Sequence, residues 1–240
     1  MKWLKLILNL LGASVGHRTP RRSSSIPQTL PKSLPDILTT KNIKSLLKEK
    51  GYMFFDGDKE LNINLIGIRR DNTGTNEFDD FMVAIYRDKR LREICKIYPI
   101  TTDPGEYWLE NPINPKGTAI LVPGQYSGTW KLGLHQGKYE ALVQRRPVKV
   151  WRDNNKDSVI DYPYAHAKVS EGYFGINIHR SNPYDKSYIV DKWSAGCQVF
   201  QAIDNYNEFL GLCKSSAAIY GSSFSYTLLT EEDIRSHLDK

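Results

Sequence analysis

A mainly β fold of the α+β class, in which a mostly antiparallel sheet or barrel carries one substantial helix near its C-terminus, is predicted by three features of the sequence. Short runs rich in β-branched and aromatic residues recur from Leu61 to His179, divided by Gly, Pro, Asn and Asp. Apolar residues return at helical spacing between Ile203 and Tyr220. The chain of 240 residues, 40% hydrophobic and 25% charged, is long enough for one domain with a core and an appended tail.

The elements follow in order. Met1–Gly16, MKWLKLILNLLGASVG, is a short apolar run flanked by Lys2 and Lys5 and ending in small residues. It reads either as a secretory signal cut after Gly16 or as an amphipathic helix on the domain, a partner or a membrane surface, and it is too short for an ordinary span. Residues 17–45 form a Pro/Ser/Arg-rich linker region, and residues 46–240 the folded domain. A short helix over Asp36–Lys50 bridges the two, with Ile37, Leu38, Ile43, Leu46 and Leu47 as its apolar face. Strands are expected in LNINLIGIRR, FMVAIYRD, LREICKIYPI, TAILVPGQY, YEALVQRRPVKVWRD and GYFGINIH, with a hairpin turn at Asp88-Lys89. The C-terminal helix buries Tyr206, Phe209, Leu210 and Cys213, and a last short helix covers Glu231–Leu238.

The net charge of +6 suits polyanionic surroundings, such as the acidic bacterial cell wall or anionic lipid. No nucleic-acid-binding signature accompanies it, and nucleic acid is not an expected partner. Cys95, Cys197 and Cys213 make neither a disulfide framework nor a zinc motif. Cys213, on the helix's apolar face, is expected to be a core residue.

Cys197 stands in different company. In Gly172–His179, Phe174, Ile176 and Ile178 alternate with Gly175, Asn177 and His179, which sends the large hydrophobes to the core and the imidazole to the other face. Downstream, Ser194-Ala195-Gly196-Cys197 is a small-residue turn ahead of the apolar Gln198-Val199. A glycine before the cysteine permits a tight backbone approach and offers N–H groups to an oxyanion. A thiol there needs a base to become a nucleophile.

These residues resemble the L,D-transpeptidase (YkuD-like) catalytic domain, whose signature is a His, a loop of some fifteen residues and Ser-x-Gly-Cys. Here these are His179, Arg180–Trp193 and Ser194–Cys197. The resemblance implies that Cys197 is acylated by a peptidoglycan stem peptide, that His179 takes the thiol proton, and that Ser194 and Gly196 order the site. Val199 and Arg180 stand where the family usually has Arg and Gly, so Arg180 and Gln198 are the substitute polar contacts to substrate. GIRRDNTGTNEFDDF, YPITTDPG, GTAILVPGQY and GLHQGKYEAL look like a bacteriophage and prophage subgroup, which extends the resemblance over roughly Leu61–Phe224. It implies a cell-envelope, exported or phage-particle location, with peptidoglycan and virion proteins as partners. Attack by an amine would make a cross-link; attack by water would make a carboxypeptidase or endopeptidase. The alternative is a non-catalytic peptidoglycan-binding or structural virion component that retains the fold.

Smaller features complete the reading. His135, in the glycine-flanked turn Gly133–Tyr139, is a candidate to line the cleft with Tyr139, and His166 is a further candidate. Asp153, Asn155, Asp157 and Asp161 alternate as in calcium loops, but Ser158 and Tyr164 replace the expected Gly and Glu, and an Asx-rich turn accounts for the same residues. No cofactor is otherwise expected.

Overall fold

The computed structural model describes residues 33–57, 59–71, 74–161 and 169–240. The Met1–Gly16 segment, the linker through residue 32, His166 and Tyr164 lie outside the described residues. The helices are α1 (Leu34–Ile37), α2 (Thr40–Glu49), α3 (Glu106–Glu110), α4 (Ile203–Tyr220) and α5 (Glu231–Leu238). The strands are β1 (Asn64–Arg69), β2 (Asp80–Arg87), β3 (Glu93–Thr101), β4 (Thr118–Leu121), β5 (Gly124–His135), β6 (Tyr139–Gln144), β7 (Val148–Asp153), β8 (Ser170–Gly172), β9 (Ile178–Arg180), β10 (Gln198–Phe200) and β11 (Phe224–Thr230).

Eight strands close into a barrel in the order β1-β11-β5-β6-β9-β10-β3-β2, and β4-β7-β8 make a separate three-stranded sheet. Within the barrel β1–β11 and β9–β10 are parallel and the other pairs antiparallel. The mainly β, mostly antiparallel prediction with one long C-terminal helix therefore holds. The hairpin at Asp88-Lys89 is also present, closed by Asp88 N–H donating to Arg92 O at 2.9 Å.

Two apolar clusters sit on either side of the barrel wall. The inner one gathers Met82, Trp130, Ile178, Phe200 and Tyr226, and α4 adds Tyr206, Phe209 and the buried thiol of Cys213. The outer one joins Ile66, Ile68, Val83 and Ile85 to Ile43, Leu46 and Leu47 of α2 and Ile234 of α5. Strand β1 is buried along its whole length because both faces are covered, which is why its sequence is a nearly unbroken apolar run.

Three expectations need correction. The compact unit runs from Ser33 to Lys240, so residues 34–45 belong to the folded body and not to the linker. Proline and serine continue to Pro35, but Leu34, Ile37 and Leu38 are already buried in the outer cluster. The run GYFGINIH is not one strand: Gly175 takes φ +72° and separates β8 from β9. Finally, β11 was not among the predicted strands, although Phe224–Thr230 is aromatic and β-branched and pairs with both β1 and β5.

A polar chain crosses this apolar framework and ends at the cysteine loop. Buried Arg69 donates from Nη1 to Leu121 O at 2.9 Å and from Nη2 to Thr102 O at 3.0 Å, and its Nε is 2.9 Å from Asp103 Oδ1. Two residues on, Gly105 N–H donates to Ser194 O at 2.9 Å. A Cβ on Gly105 would lie 2.0 Å from Asp191 O, so only glycine allows this approach. Asp103-Pro104-Gly105 thus fixes the segment that leads into Cys197.

Inside the barrel, Tyr226 Oη donates to Gln198 Oε1 at 2.8 Å. The hydroxyl occupies the space where a side chain at position 67 would begin, a Cβ on Gly67 falling 1.7 Å from it. Removing this donor with Tyr226→Phe strands a buried amide oxygen and is expected to cost about 1–3 kcal/mol. Chemical denaturation of the two proteins measures the difference.

Candidate active site

A cleft of about 490 Å³ opens between the barrel and the three-stranded sheet, lined on one side by His135, Asn177, His179 and Cys197 and on the other by Trp108, Thr118, Ala119 and Arg152. Strand pairing explains the first group. β9 and β10 run parallel with His179 opposite Val199, so the cysteine that precedes β10 and the histidine within β9 emerge at one edge of the barrel. His135 arrives from the end of β5, across the β5–β6 hairpin from its register partner Tyr139. The connecting residues Gln136 and Gly137 take φ +50° and +70°, the left-handed conformations that a short hairpin loop requires.

The turn before Cys197 is built around Ser194 and Gly196. Ser194 is fully buried; its Oγ donates to Cys197 O at 2.9 Å and accepts from Gly196 N–H at 3.2 Å. Gly196 has φ +111°, and a Cβ there would lie 2.0 Å from Ala119 O of β4. The glycine is required by this contact between the cysteine turn and the far wall of the cleft. Its own N–H is engaged by Ser194, so Ser194 and Gly196 position the loop.

The thiol and the imidazoles are held by directed hydrogen bonds. Asn177 N–H donates to Cys197 Sγ at 3.4 Å, and the thiol donates to Gly175 O at 3.4 Å. His179 Nδ1 lies 2.7 Å from Arg180 O, an atom that only accepts, so this nitrogen carries the proton. Tyr139 Oη lies 3.0 Å from the same nitrogen and donates to Arg180 O at 3.2 Å. His179 Nε2 then bears a lone pair and is buried without a hydrogen-bond partner. Asn177 Oδ1 accepts from Gln144 N–H at 2.9 Å, which turns its amide nitrogen toward His135 Nδ1 at 3.0 Å. His135 is therefore the opposite tautomer, protonated on Nε2. The two rings stack with centroids 3.9 Å apart and planes 25° from parallel.

Electrostatics keep this pair neutral. Burial first, then the neighbouring His135 ring and Arg180 guanidinium, pull His179 down to about 3, against the hydrogen bond to Arg180 O, which favours the charged form. Burial pushes the Cys197 thiol up to about 11, only partly offset by the Asn177 N–H. His135 is lowered by burial and by Lys138 and Arg180. At rest both groups are therefore neutral, a thiol and an imidazole and not a thiolate–imidazolium pair.

Comparison with protein-family models, with curated proteins and with solved structures finds no match.

The cleft brings together Cys197, His179 and His135, with Tyr139 immediately behind His179. Arg180 stacks on the Tyr139 ring at 4.0 Å and donates to Ser181 O at 3.0 Å. Gln198 is corrected as a substrate contact: it is fully buried, with its amide on Tyr226, because strand alternation turns the residue after Cys197 into the barrel. In the calcium candidate, Asn155 Nδ2 donates to Asp157 Oδ2 at 2.9 Å and to Asp161 Oδ2 at 2.7 Å, and Asp153 Oδ2 accepts from Asp161 N–H at 2.9 Å. Asx turns accompany them, Asp157 N–H donating to Asn155 Oδ1 at 3.3 Å and Val159 N–H to Asp157 Oδ1 at 2.8 Å. Among the described residues no group of three or more His, Cys, Asp or Glu is arranged to hold a metal ion.

Asn177 and Gln144 were not singled out in the sequence. Gln144 Oε1 accepts from Phe174 N–H and Ile176 N–H at 3.1 Å each, and its Nε2 donates to Gly172 O at 3.0 Å. It splints the irregular stretch between β8 and β9 that presents Asn177. The polar position between Ile176 and Ile178 was the available signal for Asn177; nothing local marks Gln144.

The elevated thiol has a direct consequence. Alkylation of Cys197 by iodoacetamide is expected to be slow at pH 7 and to accelerate toward about 11. A rate profile with its midpoint below pH 8 would contradict the neutral resting pair.

Proposed function

We propose that this chain is a cysteine acyltransferase of the L,D-transpeptidase type acting on peptidoglycan stem peptides. The observation that carries the reading is the junction in one cleft of Cys197 and His179, whose Nε2 carries no proton. The sequence resemblance supplies the substrate class and agrees with that junction.

In the first step Sγ attacks the carbonyl carbon of the donor peptide bond as the thiol proton passes to His179 Nε2. Because neither group is charged at rest, proton transfer accompanies C–S bond formation and does not precede it. Collapse of the tetrahedral adduct breaks the C–N bond, and the imidazolium returns the proton to the leaving amine. A thioester on Cys197 remains. An acceptor amine or water then attacks the thioester, gives its proton to Nε2 and releases the thiol, yielding a cross-link or a shortened peptide. Tyr139 and the Arg180 carbonyl hold the imidazole in the required tautomer throughout.

Chromatography of muropeptides after incubation with purified peptidoglycan tests this reading. New cross-linked or trimmed products that vanish with Cys197→Ala support it and name the acceptor. An unchanged profile with the native protein would favour a wall-binding role for the same cleft.

A further inference from the structure

The cleft wall opposite Cys197 carries a cation that the proposed chemistry has not used. Arg152 lies on β7, in the sheet that faces the barrel across the cleft. Its Nη1 donates to Gly117 O at 2.9 Å, and its guanidinium carbon sits 4.8 Å from the centre of the Phe174 ring. One edge of the fork is thereby fixed and its plane supported. Among the described residues no carboxylate pairs with it, and its Nε is buried without a hydrogen-bond partner.

The backbone around it is built for this position. Gly117 takes φ +102°, and a Cβ there would lie 2.1 Å from Asp153 O, so β4 and β7 come close enough for the Gly117 carbonyl to hold Arg152 only because position 117 has no side chain. A second cation, Lys192, lines the same cleft with its Nζ 4.2 Å from the centre of the Tyr107 ring. Among the described residues no Asp or Glu lines the cleft. A partly buried guanidinium with unused donors, in a cleft whose described lining holds no acid, is an incomplete ion pair, and burial already disfavours its charged form.

We infer that Arg152 is the anchor for a carboxylate of the bound peptide, and that it selects acyl donors carrying a free carboxylate over their amidated counterparts. The inference rests on the acyl-transfer reading for the identity of the ligand as a donor peptide. Its physical basis is the planar fork, which matches a carboxylate with two parallel N–H donors, a geometry that a lysine does not reproduce.

Calorimetric titration of the full chain carrying Cys197→Ala separates binding from chemistry. The probes are a stem-type tetrapeptide with free carboxylates and the same peptide with every carboxylate amidated. The carboxylate form is expected to bind roughly ten- to a hundred-fold more tightly, the range for a charge-assisted hydrogen bond. Adding Arg152→Gln is expected to remove that preference, and Arg152→Lys, which keeps the charge and the aromatic contact, to restore part of it. Equal affinity for the two peptides, a preference that survives Arg152→Gln, or no binding of either peptide would overturn the inference. A preference that depends on Arg152, in a protein whose native Cys197 never acquires an acyl group, would retain the anchor and reject the acyltransferase reading.

Discussion

Replacement of His179 by glutamine is expected to lower muropeptide turnover roughly 100- to 10,000-fold, the usual contribution of a positioned general base. The side chain has one role that glutamine cannot fill. Its Nδ1–H is committed to Arg180 O, which leaves Nε2 with a lone pair and no hydrogen-bond partner. With the thiol held up at about 11, very little thiolate exists near neutrality without a base to receive the proton. Loss of rate should therefore appear in the acylation step, measured as single-turnover formation of the thioester. The pH dependence follows with a definite sign. His179 is basic in the folded chain only down to about 3, against 6.5 for an unperturbed imidazole. Activity should hold well below pH 6.5 as long as the protein is folded. In that window the unfolded chain binds the proton that the folded chain refuses, so stability is lost as pH falls from 6.5 toward 3. His179→Gln should flatten that part of the stability profile, a readout independent of catalysis.

Gly196→Ala is expected to damage the molecule as a whole. The new Cβ would sit 2.0 Å from the Ala119 carbonyl oxygen, and the residue would have to keep φ +111°. Neither neighbour is a side-chain end that swings away: one is the backbone of β4 and the other the turn pinned by Ser194. Positive-φ strain and overpacking together cost roughly 2–6 kcal/mol, which lowers the melting temperature by about ten degrees in a domain of this size. The turn relieves the clash only by moving away from β4, so surviving folded protein should also show altered Cys197 alkylation. Ala195→Ser, one residue earlier, is the control expected to leave the melting temperature within a few degrees.

How much of this was legible beforehand depends on the range of the interaction. Local periodicity revealed most strands, α4 and α5, because alternation and helical spacing are properties of a few consecutive residues. It also identified Cys213 as core and put Ile176 and Ile178 inward, with His179 on the opposite side of β9. The same periodicity overran at GYFGINIH, where one positive-φ glycine divides a run that otherwise alternates. Long-range pairing was not legible. Nothing near Asn177 announces that its amide reaches His135, 42 positions away, or that Gln144 braces the backbone beside it. Gln198 shows the opposite failure: a polar residue beside the candidate nucleophile reads as a site residue, yet its partner Tyr226 lies on β11, the strand that was missed. Arg152 carried no local motif, and its place in the cleft follows from the packing of the second sheet against the barrel edge.

Intact-mass measurement after incubation with a stem-type tetrapeptide, followed by peptide mapping, addresses the acyltransferase reading most directly. The predicted result is a mass increment equal to the acyl part of the donor, on the peptide that contains Cys197, lost on treatment with hydroxylamine and absent from Cys197→Ala. Absence of any increment in the folded native protein, or an increment that persists in Cys197→Ala, would contradict it.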